Sequence, residues 1–322
     1  MPNPIKNSFL TKLEAFHPSD GLAYLFIWIA TFLWALSTVV VRGHHEEIPP
    51  FGLSFWRWLL AILIFLPLVW RELFLKTAII KAHFKLIWVL GILQVGSSAL
   101  FLFSLSFTTA INASLINAAQ PVLTVIPAWL LTREKINFAQ GVGILLALAG
   151  VTIMITRGDL QVLTTLGFNI GDLFVVLAIL GWSFYATILH RLPKELGLTT
   201  SLFLIYLMGT ISLLPFYVIE SVYFRTFTPT GLSISVMTFL GIAVSAGAVS
   251  LWTASVRSIG PNRAAIFTNL IPVFAVVLAI IFLGERLFPF HLSGAAFVVV
   301  GMMLVIKMAR KKTAVPQAPG TE

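Results

Sequence analysis

Apolar stretches of close to membrane-spanning length, separated by short and mostly basic connections, recur along the whole chain. They cover approximately residues 22–41, 52–69, 86–107, 111–131, 138–156, 172–189, 199–219, 233–256, 264–283 and 288–306. About twenty residues at ~1.5 Å each span the ~30 Å hydrocarbon core of a bilayer. A lipid-facing backbone must satisfy its own N–H and C=O groups, and these runs lack the two-residue alternation of a barrel strand. The expected fold is therefore an all-α membrane bundle with ten transmembrane helices.

The pattern repeats. Pro121 and Glu134 lie thirteen residues apart, as do Pro272 and Glu285, and the second pair follows the first by 151 positions. The same offset carries Gly96 onto Gly247, Val122 onto Val273, Gly143 onto Gly294 and Gly150 onto Gly301. Trp34 meets Trp182 at an offset of 148, which implies a net three-residue insertion between the first and third runs of the second copy. Five crossings per copy is an odd number, so the second copy must enter the membrane upside down. Such inverted repeats are a leading sign of a transporter that rocks about a midplane site. The expected organisation is a tail at 1–21, a first five-helix repeat at 22–156, an inverted second repeat at 157–308 and a tail at 309–322.

Composition agrees with a bilayer solvent. Hydrophobic residues make up 58% and charged residues 10% of the chain, with mean hydropathy +0.98, whereas soluble domains carry about 25% charged residues. The net charge of +9 does not point to nucleic acid, because the basic residues sit in the connections, where they set topology. With a cytoplasmic N-terminus, sixteen of them face inside: Lys6, Lys12, Arg71, Lys76, Lys81, Lys85, Arg133, Lys135, Arg191, Lys194, Arg257, Arg263, Lys307, Arg310, Lys311 and Lys312. Arg42, Arg157, Arg225 and Arg286 face outside. This asymmetry predicts cytoplasmic N- and C-termini. The polar first twenty residues have no A-x-A-like site behind the first apolar run and read as a tail, not a removable signal. With no cysteine and six scattered histidines, the chain offers no thiolate metal site, disulfide or H-E-x-x-H spacing, and no cofactor is expected.

Residues 100–154 and 251–305, each carrying P-x(12)-E-[KR], resemble EamA repeats of the drug/metabolite transporter superfamily. The resemblance covers nearly all of the chain outside its tails. It implies ten helices, a bacterial inner-membrane location and, in most members, export of amino acids, related metabolites or drugs. The first repeat departs from the family in placing Thr132 and Arg133 before Glu134, where a small residue and Gly are usual; Leu283, Gly284 and Glu285 fit better.

Polar residues inside the runs are tolerated where they face a wet cavity or one another. Candidate substrate contacts are Trp34 and Thr38 on the first run, Gln94 and Ser98 on the third, and Asn117 and Gln120 on the fourth. Their counterparts in the second copy are Trp182 and Tyr185, Ser245 and Trp252, and Asn269. Partners on one helix are spaced three, four or seven residues apart and share a face. The competing reading is interhelical glue, which is the commoner role of a single Ser or Asn. Trp34 and Trp182 lie near the middle of their runs, away from the interfacial belt. Several rings around a cavity suit an aromatic or other flat apolar solute with a few polar groups, such as those carried by aromatic amino acid exporters.

Arg57 is the one strong base well inside an apolar run. It reads either as an outer gate or carboxylate contact, or as structural, paired with carbonyls or with Glu46 or Glu47. Glu134 and Glu285 are expected to cap their own hairpins, and Pro121 and Pro272 to kink their helices. His190 sits at a loop edge. No carboxylate lies near a helix centre, so transport is expected to be uncoupled or weakly linked to protons. The leading reading is a secondary transporter of small molecules acting as a monomer or homodimer. Alternatives are a multidrug or nucleotide/sugar-type carrier, or a channel-like or structural subunit. The runs hold no cluster of acids, or of Ser or His with a base, that an enzyme would need.

Overall fold

A computed structural model of the chain describes residues 18–133, 138–159, 169–259 and 267–313. Among them every regular element is helical and no strand occurs. The principal helices are α1 (Asp20–Gly43), α2 (Pro50–Leu75), α3 (Phe84–Ser104), a broken α4 (Ala110–Asn117, Gln120–Leu123, Val125–Thr132) and α5 (Phe138–Ile155). They continue with α6 (Ile170–Leu189), α7 (Leu198–Tyr223), α8 (Gly231–Thr238, Phe239–Ala248, Val249–Ile259), α9 (Leu270–Leu283) and α10 (Pro289–Thr313). Six helices of the described residues are long and apolar enough to cross a membrane, or seven if the two arms of α4 count as one span. Three shorter apolar helices accompany them. Large apolar side chains such as Leu75, Leu145, Val222, Ile281 and Phe282 are exposed, as lipid contact requires.

Helix ends follow local chemistry where the chain leaves the apolar core. Pro50 starts α2 with no backbone N–H to orphan. Thr109 accepts from the Asn112 amide at the start of α4, and Thr230 forms a reciprocal capping box with Ser233 at the start of α8. Inside the helices, Thr31, Ser37 and Thr38 return their hydroxyl protons to carbonyls one turn back.

Packing pairs helices that correspond under the sequence offsets. Among the described residues α5 and α10 make the most extensive helix contact. A Cβ on Gly150 would lie 2.5 Å from the Gly294 carbonyl oxygen, and one on Gly301 2.4 Å from that of Gly143. The two contacts exchange when 151 is added to one member and subtracted from the other, so α5 and α10 run antiparallel through a self-complementary seam. α2 and α7 behave alike. The Glu220 carboxylate, near the end of α7, accepts from the amides of Phe51 (3.2 Å) and Gly52 (2.7 Å) at the start of α2. Glu72, 148 positions earlier, accepts from the Thr200 hydroxyl (2.6 Å) in the first turn of α7 and pairs with Lys76. A carboxylate at a helix N-terminus contributes up to about 2 kcal/mol when partly buried.

Glu285 follows the same rule and corrects the hairpin expectation. Its two oxygens accept from the Ala110 and Ile111 amides, both at 2.9 Å, so it caps the distant α4, and Arg42 lies 3.8 Å away. Glu134 lies outside the described residues. α4 breaks at Ala118 and Ala119, just before Pro121, with its arms bent by 42°. A turn at Thr268 and Asn269 likewise precedes Pro272 at the start of α9. α3 and α8 carry π-wound segments, Ile92–Gly96 and Phe239–Ala248, that overlap under the 151 offset. Each widens a turn beside the serines discussed below.

Arg133 ends α4 with φ 55°, and Gly284, 151 positions on, ends α9 with φ 63°. The missing glycine of the first repeat thus leaves a bulky residue in the left-handed region, at a cost of about 1 kcal/mol. Arg133→Gly should raise thermal stability in detergent by a comparable amount, and a fall would show that the Arg133 side chain matters more than its backbone. Gly150→Val should lower stability by about 1–3 kcal/mol, since the obstructing atom is backbone. An unchanged unfolding midpoint would contradict the close α5/α10 seam.

Candidate functional site

Two aromatic pairs mark the interior. The rings of Trp34 on α1 and Trp252 on α8 have centroids 5.3 Å apart, and those of Trp182 on α6 and Phe101 on α3 are 5.6 Å apart. Trp34 and Trp182 are separated by 148 positions and Phe101 and Trp252 by 151, so the two pairs correspond under the offsets of the sequence repeat. All three tryptophans are half-buried, whereas Phe101 is buried. Tilted ring pairs of this spacing are favourable by about 0.5–1.5 kcal/mol beyond area burial.

Arg57 lies seven residues into α2, about 10 Å along the helix, and is 4% exposed. Its guanidinium donates to the Ser98 hydroxyl on α3 and, at 3.5 Å, to that of Ser245 on α8. It also stands 4.6 Å from the centre of the Trp58 ring. The expected pairing with Glu46 or Glu47 is not formed: Glu47 lies near His44, and the Glu46 carbonyl accepts from Arg225. Those acids occupy the α1/α2 connection, too far up the helix for a buried guanidinium to reach. Three sequence candidates, Arg57, Ser98 and Ser245, are thereby brought together.

The serines connect this cation to the aromatic pairs. Phe101 is one helical turn beyond Ser98 and shares its face, and Ser245 lies on the same helix as Trp252. The arrangement has a cationic, hydroxyl-lined end and an aromatic length. It suits a flat apolar group attached to a hydrogen-bond acceptor.

Other candidates are less engaged. The Thr38 hydroxyl is occupied by the Trp34 carbonyl at 3.3 Å. Gln94, Gln120 and Asn269 are half-buried, and Asn117 carries a buried Oδ1 with no hydrogen bond among the described residues. Tyr185 packs against the cluster around α2 and α7. His190 is exposed at the end of α6.

Sequence reasoning missed Phe101, although carrying Trp252 back by 151 finds it. It also missed Tyr206, one residue past the counterpart of Arg57 at offset 148, whose ring lies 4.5 Å from that of Trp58. Asp172, also missed, is buried in the first turn of α6 and accepts from Thr108, itself beside Asn112. No spacing pattern within either run signals that cluster.

Known proteins share this plan. The model of the EamA-like transporter family matches residues 21–156 and 169–307. Among similar proteins, an uncharacterized transporter of Bacillus subtilis (strain 168), YyaM, is 28% identical over 282 residues, spanning 85% of this chain and 88% of that one. A probable terminal-alkyne amino-acid exporter of Streptantibioticus cattleyicolor is 28% identical over 212 residues, 65% of this chain and 68% of that one. A crystal structure at 19% identity superposes with a TM-score of 0.55, covering 92% of this chain and all of the other, and supports the fold alone. Two matches to one family model, falling on the two halves of a multi-span helical membrane protein, establish that this chain belongs to the EamA-like transporter family and is a transporter, not an enzyme.

Proposed function

We propose that this chain is a secondary transporter that exports small metabolites, amino acids foremost and aromatic ones among them, across a bacterial inner membrane. In this reading it has ten crossings in two inverted five-helix repeats with both termini cytoplasmic, and it works by alternating access. The observation that carries it is the duplicated aromatic pair, Trp34 with Trp252 and Trp182 with Phe101. A path that opens to each side in turn needs matching surfaces on both copies, and each of these pairs joins one ring from each copy. The antiparallel α5/α10 and α2/α7 seams and the basic residues of the expected inner connections support the same topology. Amino-acid export also draws support from the printed name of the Streptantibioticus relative.

Counterflow in proteoliposomes tests the reading, because a carrier exchanges labelled for unlabelled solute and a channel does not. Vesicles loaded with unlabelled L-phenylalanine or L-tryptophan should accumulate the labelled form transiently. Trp34→Ala and Trp182→Ala should each reduce this by tenfold or more, roughly the loss of a 1.4 kcal/mol contact. Unchanged exchange in both variants would remove the aromatic pairs from the path, and simple equilibration without overshoot would favour a channel.

A further inference from the structure

Five buried polar side chains line the contact between α2 and α7. Ser54, Arg57 and Trp58 sit on α2 at spacings of three and four, and Tyr206 and Thr210 sit one turn apart on α7. Each is less than a tenth exposed. The Trp58 and Tyr206 rings meet at 4.5 Å, so the two rows face one another. Ser54 Oγ, Arg57 Nε, Trp58 Nε1, Tyr206 OH and Thr210 Oγ1 make no hydrogen bond among the described residues. Polar atoms this deeply buried are normally paired, so a group of them in one place calls for a missing partner.

The chemistry of that partner follows from the donors. Arg57 Nε and Trp58 Nε1 can only donate, and the three hydroxyls can each donate as well. The guanidinium bears a full positive charge. Its hydrogen bonds go to the neutral Ser98 and Ser245, and among the described residues no carboxylate lies within 4.0 Å of it. An acceptor-only group with a single negative charge complements this set, and a guanidinium matches a planar carboxylate through parallel N–H···O bonds. A second cation is excluded by repulsion, and a dianion is left half-neutralised by one arginine.

We propose that the α2/α7 seam around Arg57 is an anion subsite that takes the carboxylate of the transported solute. This rests on the carrier reading above and narrows its substrates to carboxylic acids, amino acids included. With the carboxylate held there, the remainder of the solute extends along α3 past Ser98 toward Phe101 and Trp182.

Thermal unfolding of the purified full chain with phenylacetate and phenylacetamide tests the subsite. The two probes differ in charge but hardly in shape. Phenylacetate should stabilise the wild type with at least tenfold tighter apparent affinity than phenylacetamide, and Arg57→Gln should erase that preference. Tyr206→Phe and Ser98→Ala, which keep the charge and nearly the volume, should weaken phenylacetate severalfold and leave phenylacetamide unchanged. No response to phenylacetate, equal responses to acid and amide, or a preference that survives Arg57→Gln would each overturn the subsite. If Arg57→Gln does not fold, an undiminished preference in both milder variants overturns it instead. L-Phenylalanine counterflow by the wild type reports separately on transport. Counterflow without acid-over-amide preference keeps the carrier and removes the subsite, and preference without counterflow does the reverse.

Discussion

A backbone amide or a side-chain hydroxyl in hydrocarbon finds no water, and leaving it unpaired costs several kcal/mol. That constraint orders this protein at three scales. Along each apolar run it imposes a helix, and it sends the hydroxyls of Thr31, Ser37 and Thr38 back to their own carbonyls. At helix ends, where first-turn amides have no intrahelical partner, it recruits Glu220 and Glu285 from distant helices, while Glu72 meets a first-turn hydroxyl. In the interior it makes Arg57 and its unpaired neighbours conspicuous, because almost everything around them is satisfied or apolar.

The capping carboxylates also tie distant parts of the chain together. Each is fixed near the end of one helix and answers amides or a hydroxyl at the start of another, more than a hundred residues away in sequence. Such a bond requires antiparallel neighbours, since only then does a C-terminal end meet an N-terminal one. Two copies proposed to lie in opposite senses supply that geometry repeatedly, and the Gly143, Gly150, Gly294 and Gly301 seam closes it without side chains between the backbones. These bonds cluster at helix ends, away from the half-buried tryptophans of the interior.

Much of this was legible in the residues themselves. Hydropathy located the helices, because a run of apolar residues has few other places to go. The repeated Pro and Glu point to a duplication, and the 148-residue offset pairs Trp34 with Trp182 without reference to their ring partners. What escaped was tertiary. Glu285 was noticed, but its acceptor role toward Ala110 and Ile111 joins residues 174 and 175 positions apart, so local spacing suggested its own hairpin instead. The π-wound segments of α3 and α8, ILQVG and FLGIAVSAGA, are apolar like the helix around them and carry no local signal. Arg57 was recognised as unusual, yet its depth and its serine partners depend on α3 and α8 closing over it. Arg133 was seen as a departure from the family pattern, and its positive φ explains what the departure costs.

The claim on which all of this turns is that two copies of one fold cross the membrane in opposite directions. The chain contains no cysteine, so single cysteines can be placed without background. Arg133→Cys and Arg286→Cys sit at corresponding ends of α4 and α9 in the two copies. In intact cells a membrane-impermeant maleimide should label Arg286→Cys directly and Arg133→Cys only after permeabilisation. Labelling of both from the same face would contradict the inverted duplication and the alternating path built on it.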